Sequence, residues 1–158
     1  MSAKRIYWCV CGGFCGLAIL FATSTFYFAY LVNVTQSLPG TLYVVQKDAA
    51  IHRGDLVAFR WHGGGGYPAG LVFIKQATGV AGNVVTRDGT TFQVNGVDIG
   101  MAKATSRKGI ALVPAQPGVI APGQVFVTTP SPDSLDSRYR LTGNIAQQRI
   151  LGRAYAIF

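Results

Sequence analysis

The sequence predicts a mainly β domain preceded by one N-terminal transmembrane helix. A long charge-free segment near the N-terminus predicts the helix. Downstream, short β-branched and aromatic runs alternate with Gly, Pro and Asn, a pattern typical of a β domain. The chain has 158 residues, of which 49% are apolar and 13% charged, enough for one compact domain and one accessory segment. We therefore divide it into a short cytoplasmic N-terminus (1–5), an anchor (6–32) and an extracytoplasmic domain (33–158).

The anchor prediction depends on the charge-free segment 6–32. It contains about 27 residues, roughly 40 Å as a helix, which is enough to cross a bilayer with some tilt. No small-x-small cleavage site follows it, so we expect a retained anchor and not a removed leader. Lys4 and Arg5 precede it and predict a cytoplasmic N-terminus with the domain on the other side. Cys9, Cys11 and Cys15 all lie within this segment, so the downstream domain cannot form an internal disulfide.

The net charge of +8 suits nucleic acid, an anionic membrane surface or acidic partners. Because the chain has no packed Lys/Arg run, we predict a lipid bilayer as a partner and no nucleic acid. The sequence has no His, Cys, Asp or Glu cluster with metal-ligand spacing, so we predict no metal and no cofactor.

We predict seven strands after the anchor, at 42–46, 56–61, 70–76, 84–87, 91–94, 124–129 and 152–157. The dipeptides Asp88-Gly89 and Asn95-Gly96 are typical of tight hairpin turns. The four glycines 63–66 predict a mobile loop beside a substrate groove, because glycine loses the most conformational freedom on ordering. The basic region 101–122 predicts a long irregular connection with a short strand at 110–113.

The stretch 33–43 contains a candidate nucleophile, Ser37, held by a Pro39-Gly40 turn. A serine hydroxyl is weakly nucleophilic and needs a nearby base. Histidine is the usual base, but neither His52 nor His62 has an obvious carboxylate to orient it. We expect both histidines to be surface residues.

Lys75 is the second candidate base. It lies in the apolar run 69–76, and strand alternation predicts that Leu71, Phe73 and Lys75 share a face. Burial of the ammonium would lower its pKa and populate the neutral amine, which can act as a general base. Alternatively, Lys75 is an ordinary lysine at a strand end with its ammonium in solvent.

Several motifs in order along nearly the whole chain resemble the signal peptidase I superfamily of Ser-Lys dyad peptidases. They are the anchor, a Ser box (37–42), an Arg-Gly-Asp-Leu-Val-Ala-Phe box (53–59), a lysine box (73–82), the Asn95-Gly96 hairpin, a box at 133–139 and the ending 152–158. This resemblance implies a signal-peptidase-like coiled β-sheet domain. The sequence departs from the superfamily at Gln76, where an arginine often follows the lysine, and at 130–133, where Gly-Asp-Asn usually opens the last box.

The Ser box is most similar to that of the TraF-type conjugative pilin peptidases. These enzymes carry Asn-x-Thr-x-Ser-x-Pro before a Gly and a Tyr, matched here by Asn33, Thr35, Ser37, Pro39 and Tyr43. General signal peptidases have the proline three residues after the nucleophile, whereas here it is two residues after.

The resemblance implies a role for each site residue. Ser37 attacks the scissile carbonyl and Lys75 takes its proton. The Thr35 hydroxyl joins the Ser37 backbone N–H as an oxyanion donor, and Ser134 hydrogen-bonds the lysine amine. Asp136 and Arg138 match a supporting ion pair, although Asp136 read alone is equally an ordinary turn acid.

The predicted function is a serine endopeptidase of the bacterial inner membrane, with its catalytic domain in the periplasm. Its substrate is predicted to be a membrane-inserted propilin or preprotein, because Ser37 lies five residues beyond the predicted anchor, at most roughly 18 Å from the bilayer. The TraF-type resemblance implies a conjugative transfer apparatus as partner and cyclisation of the pilin. A general type I signal peptidase and an inactive structural subunit of the transfer apparatus are the alternatives.

Overall fold

The computed structural model describes residues 2–34 and 37–158, which form one long helix followed by eleven strands. Helix α1 spans Ala3–Tyr27, and none of its residues is buried. By length and composition it could cross a membrane. The domain that follows contains short strands with frequent turns, as the Gly, Pro and Asn pattern predicts.

The strands are β1 Phe28–Val32, β2 Leu42–Lys47, β3 Leu56–Arg60, β4 Val72–Val80, β5 Val84–Asp88, β6 Thr91–Val94, β7 Val97–Met101, β8 Gly118–Val119, β9 Gln124–Thr128, β10 Ile145–Ala146 and β11 Ile150–Ala156. A 3₁₀ turn, Gln147–Arg149, joins the last two.

All pairings are antiparallel and form two sheets. The larger sheet has the order β1-β2-β11-β3-β4-β9-β10, and the smaller has the order β7-β6-β5-β8. β4 is the longest strand and leads through a short turn into β5, so it joins the two sheets. The mainly β architecture and the N-terminal apolar helix confirm the predicted fold class.

The apolar core consists of separate clusters under the two sheets. One lies below the β1–β2 hairpin and includes Leu38, Tyr43, Val45 and Ala154. The other two lie below the remaining strands, and Leu135 packs against both. Since Leu135 directly follows Ser134, the segment that carries Ser134 is held in position by core packing.

The predicted anchor boundary differs from the observed helix end. The helix ends at Tyr27, and Phe28–Val32 forms β1, which pairs along its length with β2. Aromatic and β-branched residues suit a strand as well as a membrane span, so composition alone does not separate the two. Ser37 therefore lies ten residues beyond the helix, and the distance limit set by an extended chain rises to about 35 Å.

The structure also differs from the predicted strands in the second half of the chain. The expected strand at 110–113 does not form; Ala111 makes only an isolated bridge with Thr105. β7, β8 and β10 were not predicted, because β8 and β10 have only two residues each and β7 contains a register shift opposite β6. The Asn95-Gly96 turn is confirmed: both residues have positive φ and they connect β6 to β7.

Candidate active site

Ser37 lies in the connection between β1 and β2, which Asn33 holds together. The Asn33 side-chain amide donates to the carbonyls of Leu38 (3.1 Å) and Gly40 (3.0 Å). The Tyr43 hydroxyl donates to the carbonyl of Pro39. Gly40 has φ +93°, and a Cβ there would lie 2.8 Å from the Phe158 carbonyl oxygen. Thus Asn33, Pro39, Gly40 and Tyr43 all fix the turn that presents Ser37.

Lys75 lies on β4 and its ammonium reaches two serines. Its Nζ donates to Ser134 Oγ (2.8 Å) and to Ser37 Oγ (3.3 Å). The side chain is 6% exposed, so the alternative of a lysine with its head in solvent is wrong. The predicted shared face is only partly right, because Leu71 precedes the strand and is 41% exposed.

The surroundings of Lys75 favour its neutral form. Burial lowers the pKa of its ammonium from 10.5 to about 8, the charge of Asp136 opposes this shift, and that of Arg138 adds to it. The Phe73 ring lies 5.6 Å from Nζ. The two charges act in opposite directions, and desolvation is the largest cause of the lowered pKa of Lys75.

Asp136 and Arg138 form a buried, bidentate ion pair. Arg138 Nε lies 2.9 Å from Oδ1 and a terminal guanidinium nitrogen lies 2.8 Å from Oδ2. Asp136 also accepts the backbone N–H of Thr129, and Arg138 donates to the carbonyls of Met101 and Ser131. Asp136 is therefore not an ordinary exposed turn acid. The pair connects the smaller sheet to the segment that carries Ser134.

Neither histidine approaches Ser37 or Lys75. His52 is exposed and its Nδ1 lies 3.5 Å from Asp55 Oδ2, a carboxylate neighbour that the sequence reasoning missed. His62 packs against Trp61, and burial followed by the charge of Arg149 lowers its pKa. Neither is among the residues that line the groove containing Ser37.

Ser37, Lys75 and Ser134 open into one groove of about 690 Å³. Its apolar walls come from the β1–β2 hairpin and from the first half of β4, including Leu31, Val72 and Ile74. β3 pairs with β4 from Val72 to Gln76, whereas β9 pairs with β4 only from Gln76 onward. On the β9 side, 72–75 therefore has no strand partner within the described residues, and an extended peptide could add to this edge.

The glycine run borders this groove, as predicted, through Gly65 and Tyr67. Its four glycines all have positive φ, and Gly64 and Tyr67 bond each other across the turn. A Cβ at Gly65 would lie 2.7 Å from a Leu135 methyl group. The run thus forms a closely packed turn, and its expected mobility stays a prediction.

Thr35, the predicted oxyanion donor, lies outside the described residues, so its role stays a prediction. Asp133 holds Lys103 Nζ (2.5 Å) and Arg107 Nε (2.8 Å) at the rim of the groove. Sequence reasoning missed this group, because the partners are 26 and 30 residues apart in a region with no regular pattern.

A curled antiparallel β domain with a serine, a buried lysine and a second serine in one groove defines a peptidase-like architecture. Comparison with known proteins agrees: the family described as signal peptidase, peptidase S26, matches residues 5–158. No curated protein matches the chain. Because this match covers almost the whole sequence, the chain belongs to the signal peptidase family S26 and is a signal-peptidase-like serine peptidase.

Proposed function

We propose that the protein is a membrane-anchored endopeptidase in which Ser37 is the nucleophile and Lys75 the general base. The observation that carries this proposal is the position of Lys75 Nζ between Ser37 Oγ and Ser134 Oγ in a buried site. A lysine with a pKa of about 8 has a usable neutral fraction at neutral pH, whereas an exposed lysine has almost none.

The chemistry follows from that arrangement. The neutral Lys75 amine accepts the Ser37 hydroxyl proton as Oγ attacks the scissile carbonyl carbon. The resulting ammonium then gives that proton to the leaving amine as the peptide bond breaks, which leaves an acyl-enzyme on Ser37. Water, deprotonated in turn by Lys75, hydrolyses the ester and regenerates the free serine.

Ser134, Asp136 and Arg138 are positioning residues in this proposal. Ser134 accepts a hydrogen bond from the Lys75 amine and fixes its direction. The Asp136–Arg138 pair supports the segment between them, and its two charges shift the pKa of Lys75 in opposite directions. We assign the oxyanion site to the Ser37 backbone N–H and the Thr35 hydroxyl, because such donors act on charge that develops only in the transition state.

We propose that α1 anchors the enzyme in the bacterial inner membrane, with Lys4 and Arg5 in the cytoplasm and the β domain in the periplasm. The substrate is then a membrane-inserted preprotein, whose cleavage site emerges from the bilayer near the domain. Its extended backbone adds to the open edge of β4 at 72–75, beside Ser37.

Within this class we propose a conjugative pilin precursor as the substrate and the transfer apparatus as the setting. The support is the Ser box: Asn33, Pro39 and Tyr43, which match the TraF-type pattern, all take part in holding the Ser37 turn. An acyl-enzyme can be resolved by an amine as well as by water where the site excludes water. Cyclisation of the pilin would be such a reaction, with its N-terminal amine as the acceptor.

The dyad is tested by pilin maturation in strains that carry only a variant enzyme. Ser37→Ala and Lys75→Ala should abolish maturation, and Lys75→Arg should fail too, because arginine cannot supply a neutral base. His52→Ala with His62→Ala is the control and should leave maturation intact. Maturation by a folded Ser37→Ala protein would support the inactive structural subunit instead.

Mass spectrometry of the mature pilin tests the substrate and the product. A cyclic product is one water lighter than the linear chain and has no free N-terminus. A linear pilin would contradict cyclisation while keeping the peptidase. Normal pilin maturation in the absence of the enzyme, together with accumulation of secretory preproteins, would favour the general signal peptidase.

A further inference from the structure

Three basic side chains line one rim of the groove. They are Lys103, Arg107 and Lys108, and Asp133 is the only carboxylate among the described residues that line it. Asp133 already forms ion pairs with two of these cations. Hydrogen bonds from Lys103 and then Arg107 lower its pKa. Because one carboxylate faces three cations, the rim keeps a net positive charge.

The rim has a defined backbone. The Lys103 backbone N–H donates to the buried Tyr139 hydroxyl (3.0 Å). Ser106 Oγ accepts the backbone N–H groups of Lys108 (3.3 Å) and Ile110 (3.1 Å), and Gly109 closes the turn with φ +74°. Two of the three basic residues therefore project from a tight turn and not from an irregular connection.

Two of these cations retain binding capacity. Arg107 pairs with Asp133 through Nε and its side chain is 75% exposed, so its terminal nitrogens can bind a second carboxylate. Lys108 Nζ lies 5.9 Å from the centre of the Tyr67 ring, and both residues line the groove. An ammonium over an aromatic face can still bind an anion from the open side.

The rim lies close to the reacting groups. Asp133 precedes Ser134, whose Oγ is 2.8 Å from Lys75 Nζ, and Nζ is 3.3 Å from Ser37 Oγ. The distance from the Asp133 carboxylate to Ser37 Oγ along these contacts is on the order of 15 Å. An extended peptide covers it with about five residues.

We propose that Arg107 and Lys108 recognise a carboxylate of the substrate within about five residues of the scissile bond. This inference rests on the proposed peptidase function and adds a specificity determinant to it. The carboxylate is a Glu or Asp side chain or the C-terminus of a substrate cleaved close to its end. An acidic substrate segment would also be attracted to a domain of net positive charge.

The test measures binding separately from cleavage. Fluorescein-labelled alanine- and leucine-rich dodecapeptides, each with one Glu or one Gln moved through successive positions, are titrated onto full-length Ser37→Ala protein in nonionic detergent. We expect Glu to bind about fivefold more tightly than Gln at one or two positions, the size of an exposed ion pair. The preference should shrink at high salt. Peptides with an amidated C-terminus separate a side-chain carboxylate from a terminal one.

The double variant Arg107→Gln/Lys108→Gln, made in the same background, should remove the preference and leave binding of the Gln peptides unchanged. Arg53→Gln is the matched control, because it removes a positive charge from an exposed turn that does not line the groove. It should keep the preference. An affinity for the Glu peptide less than twice that for the Gln peptide at every position would overturn the inference, and so would no measurable binding of any peptide. A Glu preference that persists in the double variant would also overturn it.

Two further outcomes separate peptide binding from lipid binding and from catalysis. If the double variant loses affinity for vesicles of anionic lipid but keeps the peptide ratio, the rim binds lipid headgroups and the inference is wrong. If the peptides show the predicted ratio but wild-type protein cleaves none of them or any preprotein, the binding inference holds and the proposed catalytic function fails.

Discussion

Lys75 is the proposed general base, and its burial also lowers the stability of the folded protein. Its ammonium is buried, so its pKa falls from 10.5 in the unfolded chain to about 8 in the folded one. Between these values the unfolded state binds more protons, and stability rises with pH. Below pH 8 the folded protein bears the full cost of the buried charge, about 3 kcal/mol.

We therefore predict a pH-dependent stability difference between wild type and Lys75→Met. The wild type should gain about 3 kcal/mol relative to the variant between pH 7 and pH 10.5, because only the wild type loses a buried charge in that range. Urea unfolding at a series of pH values measures this, and titrations of groups that do not interact with Lys75 cancel in the difference. A difference that does not change with pH would mean that the Lys75 pKa is not shifted.

Among the individual residues, Ser37 and Lys75 could be identified from their local sequence and from the order of the motifs along the chain. The Ser box contains the Pro and Gly that form the turn, and Lys75 is a charged residue within an apolar run. The Asp133 ion pairs could not be found in this way. Their partners come from a loop whose path depends on Tyr139, Ser106 and the smaller sheet.

Among the elements, β11 is tightly constrained. It pairs with β2 on one side and β3 on the other, and its register shifts between Ile150 and Gly152. Gly152 has φ +151°, and a Cβ there would overlap the Gln46 carbonyl oxygen. The larger sheet can accommodate only glycine at this position without moving the β2 backbone.

We predict that Gly152→Ala destabilises the fold by about 4 kcal/mol or more, because a backbone clash in a central strand adds to the strain in φ. Gly54→Ala is the matched control: Gly54 has φ +98° but open space around it, so only about 1–2 kcal/mol of strain is expected. Thermal unfolding of the two variants measures both effects. Equal losses would show that the β2 backbone adjusts freely.

Sequence patterns predicted most of the longer strands because alternating β-branched runs between turn residues are a local signal. They failed for β1, which lies in the same uninterrupted apolar segment as the helix. They also failed for β8 and β10, whose two residues each are strands only because a distant segment pairs with them.

For the whole molecule, the structure separates the helix from the domain at Tyr27. Helix α1 has no buried residues, whereas Ala29 and Leu31 of β1 pack against the cluster below the Ser37 hairpin. The sequence-based boundary at 32 would assign β1 to the membrane. The structure assigns it to the sheet.

Two truncations test this boundary. A chain beginning at Tyr27 should fold and cleave a soluble peptide, because it keeps every strand. A chain beginning at Asn33 should lose stability and activity, because it exposes the edge of β2 and part of the apolar cluster. Circular dichroism and peptide cleavage compare them. Equal stability of the two chains would contradict the position of β1 in the sheet.

The pH dependence of kcat/KM tests the central claim, that the Lys75 amine is the base that activates Ser37, most directly. It is measured for a peptide spanning a preprotein cleavage site, with Ser37→Ala as the blank. Only the neutral amine accepts a proton, so kcat/KM should rise about tenfold per pH unit below the Lys75 pKa and level off near pH 8. A profile that levels off near pH 6.5, and whose activity is lost in the His52→Ala/His62→Ala variant, would contradict the assignment of Lys75 as the base.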